Sequence, residues 1–275
     1  MPAPMLKVGS ITIIPLSDGS FGPPVANIFP SVSAEQWEPL KEYLNPDGTI
    51  PLNFGAFLIR EGDSWTLVDT GFGGRPDSPG GRLLGELEKA RLQPADISRV
   101  LITHLHRDHI GWNTVDRDGR PEVLFKNAPH IVQRKDWEHF TRPEIKQEQP
   151  VVGLCAEPLQ DAGLLELIDG DRSISAGIST LLTPGHTPGH QSILITSGDE
   201  KAIIIGDVAH SPAQIVHSDW SPAFDVDPTL SAKTRAEVLD RIEQQGLQVA
   251  AGHFRYPSIG GIVRVEGKCR WQPVS

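Results

Sequence analysis

Apolar positions along this chain fall in short β-branched runs, most of them four to six residues long, instead of extended helical repeats. Strands are expected at 11–14, 54–59, 65–68, 100–103, 130–133, 178–182, 192–196, 202–205 and 249–251. Helical periodicity is confined to three segments. One covers 34–44 behind a capping box made by Ser33 and Gln36, a second covers 82–91, and a third covers 229–245, where Asp227 and Pro228 fit the cap and first-turn positions. Some strands have a helix-length segment behind them. Others are joined by tight turns such as Glu61-Gly62-Asp63 and Ser197-Gly198-Asp199. That mixture predicts α/β architecture, with mixed sheets and helices on the outside.

Two Pro/Gly-rich stretches, 18–30 and 211–228, are long for connectors and are expected to be functional loops. No low-complexity tract divides the chain, so residues 1–275 are expected to form a single domain with an N-terminal arm of about 50 residues.

Charge narrows the function. The 275 residues carry 25 Lys and Arg against 35 Asp and Glu, a net charge of −10, with no basic cluster of the kind that phosphate backbones require. A nucleic-acid partner is therefore not expected. No apolar run reaches membrane-spanning length and the first residues lack a secretory pattern, so the expected location is the cytoplasm. Cys155 and Cys269 are far apart and in no metal or catalytic spacing, and are expected as free thiols.

The chemistry concentrates where the strand around Val100–Thr103 runs into His104-Leu105-His106-Arg107-Asp108-His109. Side chains at i and i+2 of an extended segment project the same way, so His104 and His106 can grip one cation. A turn just after them lets Asp108 and His109 face a second. Four donors do not complete two sites, so further ligands are expected at later strand ends. His186 in Thr183-Pro184-Gly185-His186-Thr187-Pro188-Gly189-His190 is one candidate, with His190 as its alternative. Asp207 follows the apolar run 202–205 and His253 the run 249–251. There is no G-x-S-x-G elbow to support a serine nucleophile.

Together with Leu67-Val68-Asp69-Thr70-Gly71, these residues resemble the metallo-β-lactamase superfamily, from Phe54 to the C-terminus. The resemblance implies a four-layer αβ/βα sandwich with a dinuclear site at one edge. By it, His104, His106 and His186 bind one ion, Asp108, His109 and His253 bind the other, and Asp207 bridges. Asp69 would orient a ligand imidazole. Two divalent ions are implied, zinc first, although such ligands also suit iron, manganese and cobalt.

Within the superfamily, the T-P-G-H-x-P-G-H-Q-S run through Ser192 is similar to that of N-acyl homoserine lactonases, and the segment from Gly252 is similar to methyl parathion hydrolase. Both likenesses imply a homodimer acting on a small ester-type substrate. The reading placed first is a lactonase or carboxylic-ester hydrolase using a bridging hydroxide, with Asp108 carrying a proton to the leaving alkoxide. The alternatives are a phosphotriesterase and, from another class, a mononuclear iron persulfide dioxygenase. Where Bacillus lactonases carry a tyrosine three positions after the bridging aspartate, this chain has His210. His210 is expected as a polar substrate contact, with Phe21, Phe29, Trp112, Trp220 and Phe224 as apolar walls. His130, His139 and His217 are given no role.

Overall fold

The computed structural model describes residues 4–75 and 78–274. One seven-stranded sheet is built from β1 (Leu6–Val8), β2 (Ile11–Phe21), β3 (Leu52–Glu61), β4 (Ser64–Val68), β5 (Arg99–Leu101), β8 (His130–Gln133) and β9 (Leu165–Ile168), paired in that order. A small hairpin, β6 (Thr114–Arg117) with β7 (Arg120–Val123), stands apart from it. The second seven-stranded sheet runs β10 (Arg172–Ser173), β11 (Ile178–Leu182), β12 (Gln191–Ser197), β13 (Glu200–Ile204), β14 (Gln248–Ala250), β15 (Ile259–Val265) and β16 (Lys268–Pro273). Both sheets are mixed. In the first, β4, β5, β8 and β9 run parallel, and in the second only β13 and β14 do.

Strand alternation sorts the core into layers. Phe57 and Ile59 of β3 and Ala202 and Ile204 of β13 point into one cluster that lies between the sheets. Their neighbours Ala56 and Leu58 face outward against the helix Leu83–Lys89 and the short helices that follow β8. On the other side, Ile203 and Ile205 meet Val238 and Ile242 of the helix Pro228–Gln245. The order is therefore helices, sheet, sheet, helices, the αβ/βα sandwich.

Local structure follows the sequence with a few corrections. Ser33 and Gln36 do close a capping box, but the α-helix behind it stops at Trp37 and continues as a 3₁₀ turn, Glu38–Tyr43, with Pro39 in its first turn. Asp227 caps the long helix by accepting from the Leu230 N–H at 2.9 Å, and Gly246 ends it in the left-handed conformation. The segment 18–30 is not a free loop: β2 extends through Phe21, and a short helix, Val25–Ile28, follows. Nor are residues 6–21 an arm, since β1 and β2 place Leu6, Val8, Ile11 and Ile13 between the sheets. Both cysteines are free thiols. Among the described residues, no helix is long and apolar enough to cross a membrane.

Candidate metal centre

Parallel pairing sets the stage. Because β4 lies parallel to β5 and β13 to β14, their C-terminal ends emerge at common edges. Asp69 follows β4, His104 and His106 follow β5, Asp207 follows β13 and His253 follows β14. His186 leaves the end of β11 in its Pro/Gly turn. Three groups of donors result: His104, His106, His186 and Asp207; then Asp108, His109 and His253; then Asp207, His210 and His253. Within each group the ligand atoms lie inside 4.8 Å of one another.

The first group is tightly drawn. His104 Nε2 and His106 Nδ1 are 3.0 Å apart, His186 Nε2 is 3.2 Å from the former and 2.9 Å from the latter. Tetrahedral zinc with nitrogen ligands at 2.0–2.1 Å spaces those nitrogens about 3.3 Å apart, so the triad has a cation's dimensions. Asp207 Oδ2 stands 3.2 Å from His186 Nε2 and 3.1 Å from His253 Nε2, while Oδ1 is 3.2 Å from His109 Nε2. One carboxylate thus presents an oxygen to each group. Asp108 Oδ2 is 3.5 Å from His253 Nε2 and 3.7 Å from His109 Nε2.

The far sides of the His104, His109, His186 and His253 imidazoles are tied down, which fixes each tautomer and aims the other nitrogen inward. His109 Nδ1 donates to Asp69 Oδ2 at 2.7 Å and His253 Nδ1 donates to the Asn53 carbonyl at 2.8 Å. His104 Nδ1 donates to Thr103 Oγ1, whose own hydroxyl donates to Asp69 Oδ2 at 2.8 Å. Asp69 reaches this position with φ 59°, a left-handed turn that aspartate tolerates better than most residues. His186 Nδ1 donates to Asp225 Oδ1 at 2.9 Å.

Electrostatics push toward cation binding. Burial opposes charge on Asp207, yet His253, His109, His104 and His210 hold its carboxyl well below the usual carboxylate range. Burial likewise opposes a charged His186, but Asp207 and Asp225 outweigh it and push the imidazole up to about 9. For His109 the carboxylates of Asp207, Asp69 and Asp108 overcome burial and raise it well above the ordinary value. His104 and His106 go the other way, through burial and neighbouring imidazoles. Buried negative charge here demands compensating positive charge. His109 Nε2 and Asp207 Oδ1 face each other at 3.2 Å without hydrogen-bond geometry and have no other partner among the described residues, which fits a donor set of nitrogens and carboxylate oxygens made for divalent cations.

Other expected residues fall elsewhere. His190 is not in any donor group: its Nε2 accepts from the Asp207 N–H at 2.9 Å and its Nδ1 donates to the Thr183 carbonyl at 3.0 Å. It fixes the backbone of Asp207 through a neutral ring that burial pushes down to about 3. Gly206 is required beside it, with φ 54° and a Cβ position only 2.6 Å from His190 Nε2. Trp112, expected as a wall, donates its indole N–H to the buried Asp18 at 2.8 Å and packs into the helix-facing core. Phe29 and Trp220, also expected as walls, face no substrate, because both are buried in a cluster with Trp37. Phe21 is exposed, stacks on Phe54, and lines a cavity of about 900 Å³ with Asn53 and Arg255.

Phe224 and His210 do reach the centre. The Phe224 ring lies 4.9 Å from the His210 ring and 5.9 Å from that of His186. His210 stacks on His253 at 5.0 Å and donates from Nε2 to Asp207 Oδ2 at 3.0 Å. Sequence reasoning missed Asp225, Asp18 and Thr103. Asp225 and Asp18 act on partners 39 to 94 residues away, so no local spacing announces them.

The family model described as Metallo-beta-lactamase superfamily matches residues 56–253. N-acyl homoserine lactonase AiiA of Bacillus thuringiensis subsp. kurstaki is 26% identical over 173 residues, 62% of either chain. N-acyl homoserine lactonase AttM of Rhizobium radiobacter is 32% identical over 130 residues, 44% of either chain. The chain thus spans less than two thirds of the length of the curated relatives it matches. Among solved structures, hydrolase AbOPH of the beta lactamase superfamily superposes with a TM-score of 0.87 at 26% identity, covering 98% of this chain and 97% of that one. AidC, a dizinc quorum-quenching lactonase solved with a hexanoyl homoserine product, gives 0.84 at 25% identity, covering 99% and 97%. With the fold, the ligand order and the extent of that family match in agreement, this chain belongs to the metallo-β-lactamase superfamily.

Proposed function

We propose that the protein is a single-domain, dinuclear zinc hydrolase that opens the ester bond of lactones, N-acyl homoserine lactones foremost. The observation that carries the reading is the convergence of six donors from both sheets around a seventh, Asp207. His104, His106 and His186 would hold one ion, Asp108, His109 and His253 the other, with Asp207 shared. When bound, such a pair supplies Lewis acidity and lowers the pKa of water to about 7.

The chain's own residues do the rest. Asp108 and His106 are the two of the seven donors that are not fully buried, and the Asp108 side chain is 20% exposed, so it can exchange protons with solvent and return one to the departing alkoxide oxygen. His210 spends Nε2–H on Asp207, while its Nδ1 is buried without a partner among the described residues. Burial pushes this imidazole down to about 4, so Nδ1 is an acceptor suited to an amide N–H of the substrate. A cavity of about 760 Å³ starts at His210 and His253 and continues past Ile50, Phe254 and Trp271, giving apolar room for an acyl chain. The lactonase relatives add support, since AiiA is named for N-acyl homoserine lactones and AidC is described as a lactonase holding an acyl homoserine product.

A panel of acyl homoserine lactones, aryl esters and a phosphotriester tests the proposal, with zinc content measured alongside. Lactone turnover that falls about 10³-fold in Asp207→Ala is expected, the scale of losing a preorganised electrostatic element. Turnover of the phosphotriester alone, or unchanged turnover in the variant, overturns it. The proposal includes a homodimer, as the lactonase likeness implies; light scattering that returns the mass of one chain removes that part.

A further inference from the structure

The two donor groups differ in what steadies them. His109 leans on Asp69, which follows β4, the strand paired directly with β5. His186 leans instead on Asp225, which comes from the long segment between β13 and the helix Pro228–Gln245. That segment is locked to the His186 turn by backbone bonds: the Val226 N–H donates to the His186 carbonyl at 3.0 Å and the Asp227 N–H to the Gly185 carbonyl at 2.9 Å.

Behind Asp225 stands Arg235, a fully buried guanidinium. It donates to the carbonyls of Val208, Ser218 and Trp220 at 2.6, 2.7 and 2.8 Å and to Ser231 Oγ at 3.0 Å. Its Nη2 lies 3.6 Å from Asp225 Oδ2. The arginine therefore grips the residue next to Asp207 and the segment bearing Asp225 at once, and supplies the charge that lets the carboxylate stay buried.

We infer that Asp225 is a positioning residue that makes the His104–His106–His186 site, and not its neighbour, depend on the 211–228 segment. By donating Nδ1–H to Asp225, His186 keeps Nε2 as a lone pair aimed at His104 and His106. Without that acceptor the ring is free to rotate or to present the wrong tautomer. Loss of such an orienting partner weakens metal affinity about 10- to 100-fold. Phe224, whose exposed ring covers His186 and His210, precedes Asp225 directly, so whatever moves this aromatic moves the anchor of the first site.

The inference rests on the dinuclear reading, and cadmium-113 NMR of the loaded protein separates the two. The wild-type chain gives two resonances, and His253→Ala identifies the second-site signal by abolishing it. In Asp225→Ala the other resonance is the one lost when a competing chelator is raised, about 10- to 100-fold earlier than in the wild type. Asp225→Asn, which keeps an acceptor oxygen, lies between. Asp225→Ala leaves Arg235 buried without its carboxylate and lowers the urea midpoint, so the titration is run without denaturant, where circular dichroism in excess metal stays at the wild-type value and separates positioning from misfolding. If Asp225→Ala loses the His253-dependent signal first, loses both together, or loses neither, the assignment is wrong. A wild-type chain that binds no cadmium or zinc removes the dinuclear reading and this inference with it.

Discussion

Replacing Asp18 by asparagine keeps the shape of the side chain and converts one acceptor edge into a donor. Asp18 is fully buried. Its Oδ2 accepts from the N–H groups of Phe72 and Gly73 at 2.8 and 3.0 Å. Its Oδ1 accepts from Gly81 and Leu83 at 3.1 and 2.8 Å and from the Trp112 indole at 2.8 Å. An asparagine does least harm with its amide nitrogen on the two-donor side, where both bonds are lost and like groups face each other. Hydrogen bonds to a charged acceptor contribute about 1.5–3 kcal/mol each, so the cost is about 4 kcal/mol. For a chain of this size that lowers the melting temperature by roughly 10 °C.

The damage should also reach the centre. The loop held by Asp18 pairs with the metal-binding turn: the Thr70 N–H donates to the His109 carbonyl at 2.8 Å and the Gly111 N–H to the Gly71 carbonyl at 2.8 Å. Differential scanning calorimetry with saturating zinc, then with chelator, is the assay. A melting temperature within 2 °C of the wild type, a margin well inside the roughly 10 °C expected, would refute the claim that this buried acceptor organises the loop.

Three further outcomes are expected. His130 is fully buried, and burial pushes it down to about 4 against a smaller opposing effect of the Ala128 backbone. Its folded value is depressed, so its stabilising effect is complete above the unfolded value near 6.5 and is lost as pH falls from there toward 4, amounting to about 3 kcal/mol. Urea titrations of wild type and His130→Leu at pH 7.5 and 4.5 should show their stability difference changing by about 2.5 kcal/mol, most of that amount; a constant difference rejects it. Arg235→Met strands buried carbonyls and Asp225, and should cost about 3–5 kcal/mol in the urea midpoint; a midpoint unchanged within error would contradict the buried-network account. His190→Phe removes the acceptor for the Asp207 N–H and should weaken metal retention in a chelator titration, whereas His190→Gln, able to accept there, should retain more. Equal retention by both would remove the backbone-fixing role.

The strand pattern and the ligand motif were legible because both are local. β3, β8, β11 and β13 carry dense β-branched or aromatic runs, and His104 to His109 sit within six residues of one another. The four short helices from Arg134 to Asp161 were not, because Pro143, Pro150 and Pro158 interrupt any sustained helical period. β15 escaped for a different reason: Gly260 and Gly261 dilute its strand signal, and it is pairing with β14 and β16 that extends it. Trp112, Phe29 and Trp220 were misread as substrate walls because an aromatic side chain looks the same in sequence whether it faces a pocket or fills a core. Asp18 illustrates the limit most clearly, since its five donors come from three separate segments.

Neither donor group belongs to one sheet alone. His104 and His106 come from the first and His186 from the second, while Asp108 and His109 come from the first and His253 from the second. A cation in either place would rivet the two slabs of the sandwich together. Docking of the halves and capture of metal then become linked equilibria, so that anything that loosens the seam between the slabs also releases ions, and starvation for metal softens the seam.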